Sequence, residues 1–363
     1  MKVRSLKLAN FRNYESLECE FSDGINIFYG DNAQGKTNLL EAVFVAATTK
    51  SHRGSKDREM IRLGCEDSHI RLILEKKDVL RKIDMHFKKN NPKGAAIDGI
   101  MIRKSADLYG LLHVISFAPE DLAIIKNGPS ERRRFLDMEL CQLDRVYLSN
   151  LTSYNRVLMQ RNNLLKQAAA DRSLIATIDV WNEQLVNYGS EIIKSRQVFI
   201  EEIKKIIEKK HRQLSGGSER LEMRYIPSVS EDQFKDRLEK ELERELFLKA
   251  TNSGPHKDDV EFLINGNNVR VYGSQGQKRS VALSLKFSEI ELVKNKINDM
   301  PVLLLDDVLS ELDRSRQQSL LEETKGIQTF ITCTGLEEFV EKQREGEGNR
   351  LFHIVNGNIF SEG

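Results

Sequence analysis

The sequence predicts an α/β protein whose core is assembled from both chain ends, with a helical domain inserted between them. Three observations carry this. The first is Gly30-Asp31-Asn32-Ala33-Gln34-Gly35-Lys36-Thr37, a G-x-x-x-x-G-K-T loop with a strand-like segment before it (Ile25 to Tyr29) and a helix-like one after it (Asn38 to Ala47). The second is Pro301 to Asp307, an apolar run ending in two carboxylates, which suits a parallel strand buried on both faces. The third is the stretch from about residue 136 to 213. It holds no proline and repeats apolar residues at helical spacing, as at Leu143, Tyr147, Leu151, Tyr154, Leu158 and Leu165.

The loop's chemistry follows from its residue types. A strand, a glycine-rich turn and a helix N-terminus aim several backbone N–H groups at one anion. Gly30 and Gly35 permit close approach, Lys36 reaches the β- and γ-phosphates as a point charge, and Thr37 offers a hydroxyl to Mg²⁺. At the end of the apolar run, Asp306 is placed to hold the same Mg²⁺ through water. Asp307 sits where a general base or water-positioning carboxylate is needed.

Composition bounds the rest. The 363 residues are enough for two or three domains. The formal net charge of +1 predicts no nucleic-acid partner by itself, so any such contact must come from local basic patches. Cys19, Cys65, Cys141 and Cys333 lie far apart and form no C-x-x-C, which reads as reduced thiols in a cytoplasmic protein. Met1 to Leu6 reads as a strand rather than a signal peptide, and no apolar run is long enough to span a membrane.

In chain order, Val3 to Leu8 and Leu17 to Phe21 read as strands around a polar turn at residues 10–14. The basic loop Lys50 to Arg58 follows the first helix. Ile70 to Leu74, Val79 to Phe87 and Ala95 to Ile102 read as antiparallel strands, with Asp98-Gly99 as a hairpin turn and a basic turn from Lys88 to Lys93. The helical stretch forms a hairpin that bends at residues 168–171, its second helix marked by Trp181, Leu185, Tyr188, Ile192 and Phe199. Ser215-Gly216-Gly217-Ser218 stops it after a lysine-rich helix end. Glu231 to Lys249 reads as a charged helix, 251–259 as a loop, and Val260 to Ile264 with Val269 to Tyr272 as a hairpin around Asn265-Gly266. Ser274-Gln275-Gly276-Gln277 then opens a long helix, Val281 to Lys294. Ser274 there reads either as a phosphate contact or as a plain helix cap. Thr329 to Thr334 is a further strand. The domain boundaries this implies are 1–115 for the N-terminal part of the core, 116–247 for the helical arm (lobe II) and 248–363 for the C-terminal part.

Taken together, these motifs resemble an ABC-type P-loop ATPase head of the SMC/Rad50 class, and within it the RecF family of bacterial DNA replication and repair proteins. The residues that carry the resemblance are 6–14 (LKLANFRNY), 117–122 (FAPEDL), 128–137 (GPSERRRFLD), 253–259 (SGPHKDD) and 305–313 (LDDVLSELD). The resemblance implies ATP and Mg²⁺ as cofactors and an ATP-dependent homodimer. Each phosphate loop would then face the signature Ser274, Gln275, Gly276 and Gln277 of the other copy. It implies ATP contacts from Gly30 through Asn38 with Arg12 and Asn13, Mg²⁺ at Thr37 and Asp306, catalysis by Asp307 and Lys36, and communication across the dimer by Ser310 and Asp313. It further implies weak, DNA-stimulated ATPase activity, binding to duplex or gapped DNA, and work with RecO and RecR in loading RecA, within recombinational repair and the SOS response.

Three departures stand out. The usual glutamate after the first strand-end aspartate is here Asp307, whose shorter reach predicts slow hydrolysis. The usual histidine after the last core strand is replaced in Thr332-Cys333-Thr334, and no clear glutamine leads into the arm. For DNA, the basic residues Lys50, Arg53, Lys56, Arg58, Lys88, Lys89 and Arg132 are the sequence's candidates, with backbone rather than base contact expected. The run Arg132-Arg133-Arg134 reads equally as structural. Three rivals share these motifs: an ATP-gated structural dimer without turnover, an ABC transporter ATPase subunit and a long SMC tether. The last is disfavoured by the short helical insertion.

Overall fold

The computed structural model describes residues 1–334 and 348–362. Packing divides the chain into one unit of residues 1–121 with 289–363 and another of 122–288.

In the first unit, β1 (Lys2–Phe11), β2 (Tyr14–Glu20), β4 (Asp67–Lys76), β5 (Val79–Lys88), β6 (Asn91–Ile97) and β7 (Ile100–Met101) form an antiparallel sheet in the order β2-β1-β4-β5-β6-β7. Strand β4 alternates: Ile70, Leu72 and Leu74 are buried, while His69, Arg71 and Glu75 take the other face. The strand expected from Ala95 to Ile102 is instead split by the turn at Asp98-Gly99. Both turn residues adopt positive φ, 52° and 83°, as a two-residue hairpin loop demands.

A second sheet carries β3 (Ile25–Tyr29), β8 (Val114–Phe117), β12 (Val302–Asp306), β13 (Thr329–Cys333), β14 (Arg350–Val355) and β15 (Asn358–Glu362), ordered β15-β14-β3-β13-β12-β8. All its pairings except β14–β15 are parallel. As the apolar run predicts, β12 is wholly buried, between β13 and β8. Helix α1 (Lys36–Thr48) follows β3, and α10 (Arg314–Thr324) lies between β12 and β13. Aromatic rings knit the sheet: Phe28 stacks on Phe352 at 5.0 Å, and Phe21 meets Phe330 edge-on at 4.8 Å.

The second unit begins with α2 (Leu122–Lys126) and α3 (Pro129–Leu143), whose Pro129 is pre-set for a first helical position. Then come α4 (Arg145–Ala168) and α5 (Ile178–Leu214), the expected helical hairpin. β9 (Leu221–Ile226) pairs with β10 (Asp259–Ile264), and β10 with β11 (Asn267–Asn268). This pairing is why residues 248–288 pack with the helices, where the sequence boundary at 248 grouped them with the C-terminal part of the core. The charged stretch 231–249 breaks at Glu241 into α6 (Phe234–Lys240) and α7 (Leu242–Leu248). Val269–Tyr272 is not a strand. It is one helical turn, α8, because the Asn268 side chain accepts from Arg270 N–H and Val271 N–H and caps it. Helix α9 (Gln275–Ile297) starts earlier than Val281, at the signature itself.

Buried charges hold the second unit together. Arg196 donates to Asp258 and Asp137 at 2.9 and 2.7 Å, and Asp258 also accepts from Ser228 N–H at 2.9 Å and from Tyr225 O–H. Arg161 pairs with Glu245 at 2.7 Å, both wholly buried. Each partner alone would be a desolvated charge, so such a pair is costly to break from one side.

Candidate nucleotide site and signature segment

The phosphate loop leaves β3 at Gly30 and enters α1 at Lys36, as its motif requires. Gly30 (φ 147°) and Gly35 (φ 117°) both occupy backbone conformations closed to other residues, and a Cβ on Gly30 would lie 2.4 Å from the carbonyl of Ile354. The Lys36 ammonium donates to the carbonyls of Gly30 and Asp31 at 2.5 and 2.7 Å, which holds it over the mouth of the loop. Burial pushes its pKa down against the pull of Asp307, Cys333 and Asp306. Asp31, Asn32 and Ala33 are exposed at the loop's crest.

The two motifs meet at one carboxylate. Asp306 Oδ1 accepts from Thr37 Oγ1 at 2.8 Å and from Thr332 Oγ1 at 2.7 Å. Register explains this, because Asp306 pairs with Thr332 on β13 and Thr332 pairs with Phe28 on β3. Thr332, in the region where a histidine is usual, thus links the two strands that carry the site. Its oxygen also accepts from Asp307 N–H at 2.9 Å. Asp307 has φ 52°, a left-handed conformation stabilised by that bond and by Ser310 O–H donating to its carbonyl at 2.8 Å. Burial and the neighbouring Asp306 raise the Asp307 pKa, the direction a proton acceptor needs.

Hard oxygen donors of this kind fit Mg²⁺. Among the described residues no group of three or more His, Cys, Asp or Glu has metal-holding geometry. A cation here would therefore be held by Thr37, Asp306 and phosphate oxygens, the usual habit of Mg²⁺ beside a nucleotide.

Arg12 and Asn13 lie beside the loop in different roles. Asn13 Nδ2 donates to the Gln34 carbonyl at 2.9 Å, and its Oδ1 accepts from Asn38 at 2.8 Å. Arg12 is a fork on Glu41 of α1, at 2.8 and 2.6 Å, and also donates to the Glu59 carbonyl and Ser55. Burial opposes ionisation of Glu41, yet bonds from Arg12 and Ser51 hold its carboxyl below the usual range. These bonds tie Arg12 to α1 and to the 55–59 segment, beside the phosphate loop.

The signature is its own helix cap. Ser274 Oγ accepts from Gln277 N–H at 3.2 Å while Gln277 Oε1 accepts from Ser274 N–H at 2.8 Å, a reciprocal capping box. Ser274, Gln275 and Gly276 are exposed. Gln277 also donates to Glu219 at 2.9 Å, and the other Glu219 oxygen accepts from His211 Nε2 at 3.0 Å. The helix-cap and phosphate-contact readings of Ser274 are therefore compatible: the cap orders the segment and leaves its outer surface bare. Asp313 caps α10, accepting from Arg316 N–H at 3.0 Å.

Residues 2–353 match the family described as RecF/RecN/SMC N terminal domain. The chain is 58% identical over 359 residues to the DNA replication and repair protein RecF of Lachnoclostridium phytofermentans, covering 99% of each. The chain belongs to the RecF family. It is 54% identical to RecF of Lachnospira eligens over the full length of both. It is also similar to the solved recombination mediator protein RecF-ATPrS in the RecFOR pathway, with TM-score 0.92, 36% identity, and coverage of 100% of this chain and 98% of that one. An Smc head from Pyrococcus furiosus shares the fold at TM-score 0.58 and 16% identity.

Within this RecF-family chain the expected DNA residues divide. Arg132 is buried, forks onto Asp259 at 2.6 and 3.1 Å and donates to the carbonyls of Ile124 and Asn127. Its donors are spent, so the structural reading replaces the DNA contact. Lys89 pairs with Glu66 at 3.1 Å, and Arg53 donates to Asn38 at 3.3 Å. Lys56, Arg58 and Lys88 are exposed, Arg58 in a short 3-10 turn over 57–60 and Lys88 as the last residue of β5 rather than in the turn expected from Lys88 to Lys93. The sequence reading missed Tyr14, whose hydroxyl donates to the Gly35 carbonyl at 2.9 Å. It also missed the turn of the β14–β15 hairpin, where Asn356 and Gly357 N–H groups donate to Gln34 at 2.5 and 3.1 Å. The Asn356-Gly357 hairpin dipeptide was the available signal for that turn.

Proposed function

We propose that this chain is an ATP-dependent DNA-binding clamp of recombinational repair and replication restart. ATP with Mg²⁺ binds at residues 30–38, and Lys36 and the loop N–H groups hold its phosphates. The exposed Ser274, Gln275 and Gly276 of a second copy close on the γ-phosphate, so that nucleotide joins two heads. Ser310 and Asp313 lie on the segment that would pass between the paired sites. Asp307 orients water for slow hydrolysis, which releases the dimer. The dimer binds duplex or gapped DNA through backbone contacts and works in the cytoplasm with RecO and RecR to load RecA.

The observation that supports this reading best is the convergence of Thr37 and Thr332 on Asp306, beside Lys36 and a base-like Asp307. Molar mass by light scattering, with and without ATP and Mg²⁺, tests it. Wild type should shift from monomer to dimer, and Lys36→Arg or Ser274→Arg should not. A mass that ignores ATP would remove the signature's role in trans.

A further inference from the structure

The C-terminal turns of α5 carry Lys205, Lys209 and Arg212 at i, i+4 and i+7, which sets all three on one helix face over about 10 Å. All three are exposed, and they line one groove with Gln213, Gly216 and Gly217. None of the three side chains has an ionic or hydrogen-bond partner among the described residues, in contrast to Arg132 and Lys89. The acid in the groove, Glu208, is spent on Arg220 at 3.1 Å. Gly216 and Gly217 turn away with positive φ of 62° and 82°, and a Cβ at either would meet nothing within 4 Å. One wall of the groove is therefore bare backbone beside a row of cations. The helix dipole accounts for Arg212 in the last turn but reaches neither Lys205 nor Lys209.

We propose that this α5 groove docks the sugar–phosphate backbone of duplex DNA. The proposal rests on the DNA-binding reading above and gives it a surface outside the basic loop and hairpin that the sequence favoured. Three cations in a row, none of them ion-paired among the described residues, match a polyanion whose charges recur every few ångströms along its axis. The contact would be sequence-independent, since no aromatic side chain lines the groove for stacking. Location adds a consequence. His211, on the buried side of the same turns, donates to Glu219, and Glu219 holds Gln277 of the signature. A backbone seated on the stripe would thus bear on a helix end that is hydrogen-bonded to the signature.

The test is a fluorescence-anisotropy titration of the full chain with labelled duplex over a salt series, with ATP and Mg²⁺. It compares wild type with Lys205→Glu/Lys209→Glu/Arg212→Glu and with the milder Lys209→Ala. The triple variant should bind at least about tenfold more weakly. Its plot of log K against log salt should flatten by about 2–3 units, and that of Lys209→Ala by about 1. Light scattering with ATP should give both variants the wild-type mass, which also shows that they fold. Wild-type affinity and slope in Lys209→Ala and in a folded triple variant would overturn the groove while leaving the DNA-binding reading intact. No duplex binding by wild type would overturn both.

Discussion

At the scale of single residues, the site is organised by oxygen atoms that each serve two partners. Asp306 takes hydroxyls from Thr37 and Thr332, and Thr332 in turn accepts from the backbone of Asp307. This arrangement fixes the backbone of Asp307 through its N–H and its carbonyl. Asp307→Asn keeps size and backbone conformation but removes the proton acceptor. Phosphate release should fall at least about tenfold, toward background, while the ATP-driven change in mass persists. Turnover at the wild-type rate would exclude Asp307 as the base. No measurable turnover in wild type would favour the ATP-gated structural dimer. The motif made Lys36, Thr37 and Asp306 legible, because their chemistry is set by spacing along the chain. Thr332 was visible only as a departure, since its role depends on a strand 26 residues away from Asp306 in sequence.

At the scale of elements, the segment 253–259 is a clasp. Its side chains tie α3, α5 and the junction of α6 and α7 to β10: Ser253 donates to Glu241, Asp258 takes Arg196, and Asp259 takes Arg132. His256 sits in the middle. Its Nε2 must donate to the Thr251 carbonyl at 3.0 Å, so Nδ1 accepts the Tyr154 hydroxyl at 2.6 Å. Burial, the main cause, pushes its pKa down to about 4 from 6.5. Above pH 6.5 both folded and unfolded histidines are neutral and this arrangement is fully stable. As pH falls from there, the unfolded chain protonates first, and stability is lost down to about pH 4, by up to about 3 kcal/mol. Urea midpoints at neutral and mildly acid pH should show that loss in wild type and a shallower one in His256→Gln. Equal slopes would place the acid sensitivity elsewhere. Packing at Gly189 is a second constraint, because a Cβ there would lie 2.5 Å from the Phe234 ring and 3.0 Å from Tyr154. Gly189→Ala gains helix propensity yet should destabilise by about 1–2 kcal/mol in the same assay.

At the scale of the whole molecule, two packed units imply that unfolding departs from a single cooperative step. The phosphate loop and Asp306 both belong to the unit of residues 1–121 and 289–363, so nucleotide should act on that unit's transition. With ATP and Mg²⁺ at a hundredfold excess over the dissociation constant, it should gain about 2.7 kcal/mol. Calorimetry should show the shift in wild type and its loss in Lys36→Arg. A shift retained in the variant would mean that nucleotide binds without the lysine.

The sequence by itself determined the α/β class, the phosphate loop, the strand that ends at Asp306 and the helical hairpin. Each of these is written in local periodicity or in fixed spacing over a few residues. Tertiary structure alone decided which charges are spent and which are exposed. Arg132 and Lys205 look alike in sequence, but one is buried on Asp259 and the other faces solvent on α5. It also decided that Asn356 and Gly357 clasp Gln34 across 322 and 323 positions of chain. Contacts at such separation are set by sheet register and by the burial of whole faces, which no local pattern encodes.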